Sequence, residues 1–290
     1  MTVAKESSAA RRWALLRLFR PKEWVKNAFV LAPLIFSRQF TDLNKVAESL
    51  SAVGLFCLAA SAVYILNDLH DIERDRRHPT KRLSRPIAAG HVSKRQAQVV
   101  LGVVMLAMLF AFTIRVDLMV VVAAYFLMNV AYTFFLKSQA VVDIFVIAIG
   151  FVLRVYAGAV ALNVPLSGWM MITTLCLALY LAALKRRQEL SVNGVDGREV
   201  LKNYSVVLMD RYAEMAGTGA LVFYSLFVMS ANQDLIVTIP LVMFGLFRYC
   251  YVVDRQEVGE SPTDVLFYDW QLLGVVTSWV GLCVWILSSR

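Results

Sequence analysis

The chain has 290 residues, 59% of them hydrophobic and 17% charged, with a mean hydropathy of +0.63. A soluble domain averages about 45–50% apolar and about 25% charged residues, so this composition excludes an ordinary soluble fold. The net charge of +8 does not mark a nucleic-acid partner either. Lys and Arg gather between apolar stretches and form no continuous basic face, which membrane orientation and anionic ligands explain better.

The first stretch, MTVAKESSAARRWALLRLFRPKEWVKN, lacks the basic–apolar–small order of a cleaved signal peptide. Residues 1–22 read as a basic cytoplasmic segment, partly amphipathic, lying on the membrane surface. Residues 23–290 read as a single polytopic membrane domain. Nine stretches approach the roughly 20 residues that a helix needs to cross about 30 Å of hydrocarbon: 23–39, 46–66, 96–114, 117–136, 140–161, 167–184, 211–231, 234–252 and 270–288. The first is the weakest, with Lys26 and Asn27 near its start and Pro33 inside it.

With the N-terminus in the cytoplasm, nearly all of the 29 Lys and Arg fall on the cytoplasmic side. Arg38, Lys45, Arg115 and Arg290 lie outside and Arg154 lies within a span. Losing one span would scramble that asymmetry, so charge tests the count independently of hydropathy. The expectation is an all-α protein of the cell's inner membrane, with nine transmembrane helices around a central cavity open to the cytoplasmic side. Three long inner loops, 67–95, 185–210 and 253–269, put any chemistry on that side. LAASAVYILND and LCLALYLAALK end the second and sixth spans alike, so Tyr64 and Tyr180 precede the first two of these loops. That echo suggests two related halves. Cys57, Cys176, Cys250 and Cys283 are scattered through apolar stretches, which points to neither a disulfide framework nor a zinc site.

The densest signal is YILNDLHDIERDRRHPTKRLSRPIAAG, residues 64–90. Asn67, Asp71 and Asp75 are four apart and share one face of a continuing helix, with Asp68 one residue round. Acids so spaced repel one another, and something positive must offset them. Oxygen ligands on one face suit Mg²⁺, which binds through one or two carboxylates plus substrate phosphates. An acidic helix end neutralised by Arg74, Arg76 and Arg77 is the bland alternative. Against it stands the sequel: Lys81, Arg82 and Arg85 around Pro79 and Pro86 make a stiff cationic loop. Carboxylates for a metal beside cations for phosphate oxygens are what a diphosphate–Mg²⁺ complex requires.

At NDLHDIERDR the sequence resembles the first aspartate motif, NDxxDxxxD, of the UbiA superfamily of intramembrane prenyltransferases. RPKEWVKN, DRRHPTKRLSRPIAAG, AYTFFLK and LKRRQEL, in that order, are similar to its polyprenyl-phosphate phosphoribosyltransferase branch. A UbiA-like bundle is the implied fold. Where other members of the superfamily carry a second aspartate motif, this chain has LKRRQELSVNGVDGREV, with Lys185, Arg186 and Arg187 in place of acids and Glu189 close behind. An acidic, metal-binding wall facing a basic wall fits one diphosphate clamp and one bare phosphate site.

The resemblance implies a donor, 5-phosphoribosyl diphosphate (PRPP), held by Mg²⁺ on Asn67, Asp71 and Asp75, with Asp68, Asp71 and Asp75 as catalytic acids. It implies a long polyprenyl phosphate as acceptor, a lipid-linked pentose phosphate as product, and a place in cell-envelope arabinan synthesis. Lys26, Asn27, Arg76, Lys81, Arg85, Tyr132, Lys137, Lys185, Arg186 and Glu189 become the expected substrate contacts. His78 is expected to be structural or phosphate-contacting. Arg154, about 14 residues into its span, is costly there and needs a partner. Asp143, about 16 Å away along the helix, is too far, so a helix carbonyl or an outer-side acid is expected, in an anchoring role. Tyr204 and Lys202 carry little weight.

Two other functions compete. A UbiA-type prenyltransferase moving the lipid from a prenyl diphosphate to a small acceptor would carry a second acid pair after span six. A transporter would carry ionisable residues at mid-membrane in several helices, where only Arg154 stands. The sequence leaves the number of copies open, a homo-oligomer included.

Overall fold

The computed structural model describes residues 8–77, 80–194, 198–255 and 262–289. His78 and Pro79 of the cationic loop lie outside these residues. The described residues form helices and connecting turns, with no strand among them. In chain order the α-helices are α1 (Ser8–Leu18), α2 (Ala32–Phe36), α3 (Leu43–His70), α4 (Ile72–Arg77), α5 (Lys81–Ser84), α6 (Lys94–Phe112), α7 (Val116–Phe134), α8 (Val142–Leu162), α9 (Gly168–Asn193), α10 (Val206–Ala231), α11 (Ile239–Arg255), α12 (Pro262–Tyr268) and α13 (Trp270–Ser288). Short 3₁₀ segments join several of them, among them Leu136–Ser138, Glu199–Asn203 and Gln233–Thr238.

Among the described residues eight helical stretches are long and apolar enough to cross a membrane, and they correspond to the second to ninth expected spans. The first expected span, 23–39, takes a different form. Pro21–Leu31 is a 3₁₀ helix that runs into α2. Its contacts show how it fits beside the long helices. Trp24 Nε1 donates to Ser61 Oγ at 3.1 Å and Asn27 Nδ2 to Cys57 Sγ at 3.2 Å, so three residues of this segment match four of α3. On its other side Asn27 meets Arg154 and Val30 meets Gly158, again three residues against four. The 3₁₀ rise of about 2.0 Å against 1.5 Å for an α-helix gives that ratio. Sixteen residues, 11 in the 3₁₀ segment and 5 in α2, thus reach about 30 Å, the thickness of the hydrocarbon.

Gly158 makes this contact possible. A Cβ there would lie 2.0 Å from the Val30 carbonyl oxygen, backbone that has no room to yield. α8 is accordingly the most enclosed of the long helices, with α3, α7, α9 and the 3₁₀ segment around it. α6 and α13 are the least enclosed, and α6 turns Val99, Val103, Leu106, Leu109 and Phe110 outward, as a lipid-facing helix does. Side-chain caps start several helices: Asp42 on α3, Ser93 with Gln96 in a capping box on α6, Ser205 on α10 and Asp269 on α13. The four cysteines are free thiols.

Candidate active site

Described residues of the three long loops, 67–95, 185–210 and 253–269, line one cavity of about 1560 Å³. That exceeds the roughly 300–1,000 Å³ of a site for one small ligand and leaves room for two reactants. Its lining is charged toward the loops and apolar deeper between α2, α9, α11 and α13, where Phe36, Leu177, Val242 and Trp279 line it. Tyr64 and Tyr180, the two residues of the internal echo, both line it.

α3 carries the first motif to this cavity. The helix is formally broken at Asp71 (φ −96°, ψ 14°), yet the hydrogen-bond ladder continues. The Asp71 N–H donates to the Asn67 carbonyl at 2.9 Å and the Asp75 N–H to the Asp71 carbonyl at 2.8 Å. Asn67, Asp71 and Asp75 therefore stand one turn apart, and all three line the cavity. The positive partner that such a ladder needs is Lys137, just past α7, whose ammonium donates to both Asp71 carboxylate oxygens at 2.8 and 2.9 Å.

One amide and two carboxylates suit Mg²⁺ when phosphate oxygens complete the shell, because Mg²⁺ needs few protein ligands. Among the described residues no group of three or more His, Cys, Asp or Glu is arranged to hold an ion by itself.

Lys26, Lys81, Arg85, Tyr132, Lys185, Arg186 and Glu189 also line the cavity. Burial, and then the nearby Arg198 guanidinium, hold the Lys81 ammonium below the usual lysine range; Asp75 and Glu189 oppose this. Three expected contacts lie elsewhere. Asp68, one residue round the helix from the ladder, is buried between Arg20, which ion-pairs it, and Arg85 at 3.3 Å. Arg76 pairs with Glu73 at 3.0 Å on an exposed face. Asn27 is buried off the cavity and accepts from Arg154 Nε at 2.8 Å.

The basic wall is also more neutralised than the sequence suggests. Arg186 is fully buried against the sequence-distant Asp143, its Nε donating to Oδ2 at 2.7 Å while Nη1 donates to Glu189 at 2.7 Å. Arg187 does not line the cavity; it ties α9 to Asp210 and Asp254 at 2.6 and 2.7 Å. Lys185 remains in the lining, joined by Arg198. Nothing in the sequence singled out Arg198, which stands apart from the Lys185–Arg187 cluster in the same long loop. Asp143 had a signal, since an acid inside an apolar span demands a partner as Arg154 does.

Arg154 finds three neutral partners: Asn27 Oδ1, the Gly150 carbonyl at 2.9 Å, and the Tyr125 hydroxyl at 2.9 Å. Its guanidinium also lies over the Tyr125 ring, 4.8 Å from the centroid. The expected helix carbonyl is among these partners. Tyr204, given little weight from sequence, donates to Asp143.

An all-α membrane bundle with a carboxylate ladder over a large cavity defines a class, and comparison with known proteins agrees. The chain matches the UbiA prenyltransferase family over residues 30–285 and belongs to it; it is a transferase. Its relatives include a decaprenyl-phosphate phosphoribosyltransferase of Mycolicibacterium smegmatis, 35% identical over 92% of this chain and 90% of that one. Another of the same description, from Mycobacterium tuberculosis, is 36% identical over 92% of each chain. In fold the chain is similar to a UbiA homolog from Archaeoglobus fulgidus solved with GPP and Mg²⁺. The TM-score is 0.68 at 20% identity, covering 95% of this chain and 99% of that one.

Proposed function

We propose that the protein transfers 5-phosphoribose from PRPP to a long-chain polyprenyl phosphate in an Mg²⁺-dependent reaction. The products are a polyprenylphosphoryl-5-phosphoribose and pyrophosphate. The observation that carries this reading is the sharing of one cavity by Asn67, Asp71 and Asp75, at the end of α3 and just beyond it, and by Lys185 and Arg186 at the end of α9. A second carboxylate clamp, which a prenyl diphosphate donor would use, has no counterpart at Lys185–Arg187. The phosphoribosyltransferase names of the relatives support the same choice.

Asn67, Asp71 and Asp75 would hold Mg²⁺, which would supply positive charge against the leaving diphosphate. Lys137 and Lys81 bring further positive charge to the same oxygens. The lipid tail lies in the apolar part of the cavity and its phosphate approaches from the basic side. An oxygen of that phosphate forms a bond to ribose C1 as the C1–O bond to diphosphate breaks, through an oxocarbenium-like transition state. The attacking oxygen is already anionic at neutral pH, so no residue has to remove a proton. The chain's contribution is alignment and charge neutralisation. The site faces the cytoplasm of the inner membrane, with the N-terminus on the same side, and the product is a lipid-linked pentose precursor for envelope glycans.

Purified protein in lipid nanodiscs, given polyprenyl phosphate, Mg²⁺ and labelled PRPP, should form labelled lipid with release of pyrophosphate. Transfer from a prenyl diphosphate to a small acceptor, with none from PRPP, would replace this reading by the prenyltransferase one.

A further inference from the structure

Behind the basic side of the cavity lies a buried network that neither charged motif accounts for. Asp143 is completely enclosed, and besides Arg186 it accepts a hydrogen bond from the Tyr204 hydroxyl at 2.5 Å. The Tyr204 oxygen accepts in turn from the Val141 N–H at 2.6 Å. Val141 has φ +69° and ψ −46°, close to the strained γ-turn that a β-branched residue rarely adopts. Such strain persists where the surroundings fix it, and it gathers at functional sites.

From Asp143 the network runs outward to the cavity. Arg186 Nη2 donates to the Tyr132 hydroxyl oxygen at 3.3 Å, and Nη1 holds Glu189. Arg198 reaches the same two acceptors from the other side, Nε to Glu189 and Nη1 to Tyr132, both at 3.5 Å. The two arginines differ in kind. Arg186 has two short charged bonds and a side chain 1% exposed. Among the described residues Arg198 has contacts at 3.5 Å to Glu189 and Tyr132, and with a side chain 29% exposed it lines the cavity. The segment that carries it is pinned by the buried Val200, Leu201 and Tyr204. Tyr132, which Arg198 reaches, sits at the same end of α7 as Lys137, the partner of Asp71 in the carboxylate ladder. Arg198 therefore belongs to the donor's end of the cavity.

We propose that Arg198 binds a phosphate group of the donor, and that Asp143 and Tyr204 are positioning residues that act through Arg186 to hold Arg198 and Tyr132 at the cavity. The inference rests on the reading above only in taking the donor to be PRPP.

Steady-state kinetics in nanodiscs test it, varying PRPP at saturating lipid phosphate and the reverse. Arg198→Ala should raise the KM for PRPP about tenfold or more, the value of a charge-assisted hydrogen bond, with the KM for the lipid within about twofold. Arg198→Lys should recover part of the loss, because it keeps the charge without the fork. Tyr204→Phe keeps the ring and removes both hydroxyl bonds; it should raise the KM for PRPP severalfold with kcat near wild type, beside the lower unfolding temperature that an unsatisfied buried carboxylate brings. A purely structural Tyr204 would lower the unfolding temperature and leave the KM alone. Asp143→Asn should act like Tyr204→Phe but more strongly; if it does not fold, Tyr204→Phe decides. An unchanged KM for PRPP in Arg198→Ala and Tyr204→Phe overturns the proposal, and so does a rise confined to the lipid. Direct binding of inorganic pyrophosphate separates the two readings. If wild type does not use PRPP, the proposed function fails, but weaker pyrophosphate binding by Arg198→Ala still upholds the inference and equal binding ends it.

Discussion

The two charged regions that face each other across the cavity are built differently. At the end of α3, Asp71 is paired with the Lys137 ammonium, with both side chains about a fifth exposed (18% and 20%). At the end of α9, Arg186 and Asp143 are withdrawn from solvent, and Glu189, Tyr132 and Tyr204 occupy their remaining bonds. A partly exposed pair contributes little to stability, and a ligand can replace one member of it. A buried guanidinium–carboxylate pair cannot be opened without leaving an uncompensated charge. The first region is thus suited to exchange ions with a substrate, and the second to hold a shape while the substrate binds.

The largest expected effect is on turnover. Asp71→Ala should reduce product formation to background while the thermal unfolding profile stays that of wild type; full activity would remove Asp71 from the metal site. Next comes stability at the other region. Arg186→Met strands Asp143 and Glu189 and should cost about 3–5 kcal/mol, read as a lower unfolding temperature. Lys137→Met should cost no more than about 1 kcal/mol while weakening donor binding. Equal losses of stability in the two variants would erase the distinction between the regions. Gly158→Ala drives a Cβ into the Val30 carbonyl and should cost about 1–3 kcal/mol, without altering the metal dependence of whatever activity remains.

The smallest effect is on pH dependence. Burial and Arg198 favour the neutral form of Lys81, so its ammonium is lost at a lower pH than in an ordinary lysine, whose pKa is about 10.4. The affinity for PRPP should therefore weaken as pH rises, beginning below the ordinary lysine range. Lys81→Arg should shift that limb upward, since a guanidinium stays charged. A limb that does not move in Lys81→Arg would assign it to another group.

The long helices were legible because hydropathy and the placement of Lys and Arg are independent signals that agree, and eight of the nine stretches follow them. The ladder Asn67, Asp71, Asp75 was legible because its four-residue spacing survives the kink at Asp71. The first stretch was not, since 3₁₀ geometry depends on what α3 and α8 present to it. Lys185, Arg186 and Arg187 look equivalent in sequence. They diverge because successive residues of a helix point about 100° apart, one to the cavity, one to Asp143 and one to Asp210 and Asp254. Arg154 needed Asn27, 127 residues away, and spacing cannot reveal such a partner.

The division of labour between the two regions is tested most directly by PRPP binding with and without Mg²⁺, measured by equilibrium dialysis on nanodisc protein. Mg²⁺ should tighten binding to wild type and to Lys185→Ala, and should lose that effect in Asp75→Asn. The same gain from Mg²⁺ in Asp75→Asn as in wild type would contradict the assignment of the metal to the α3 ladder.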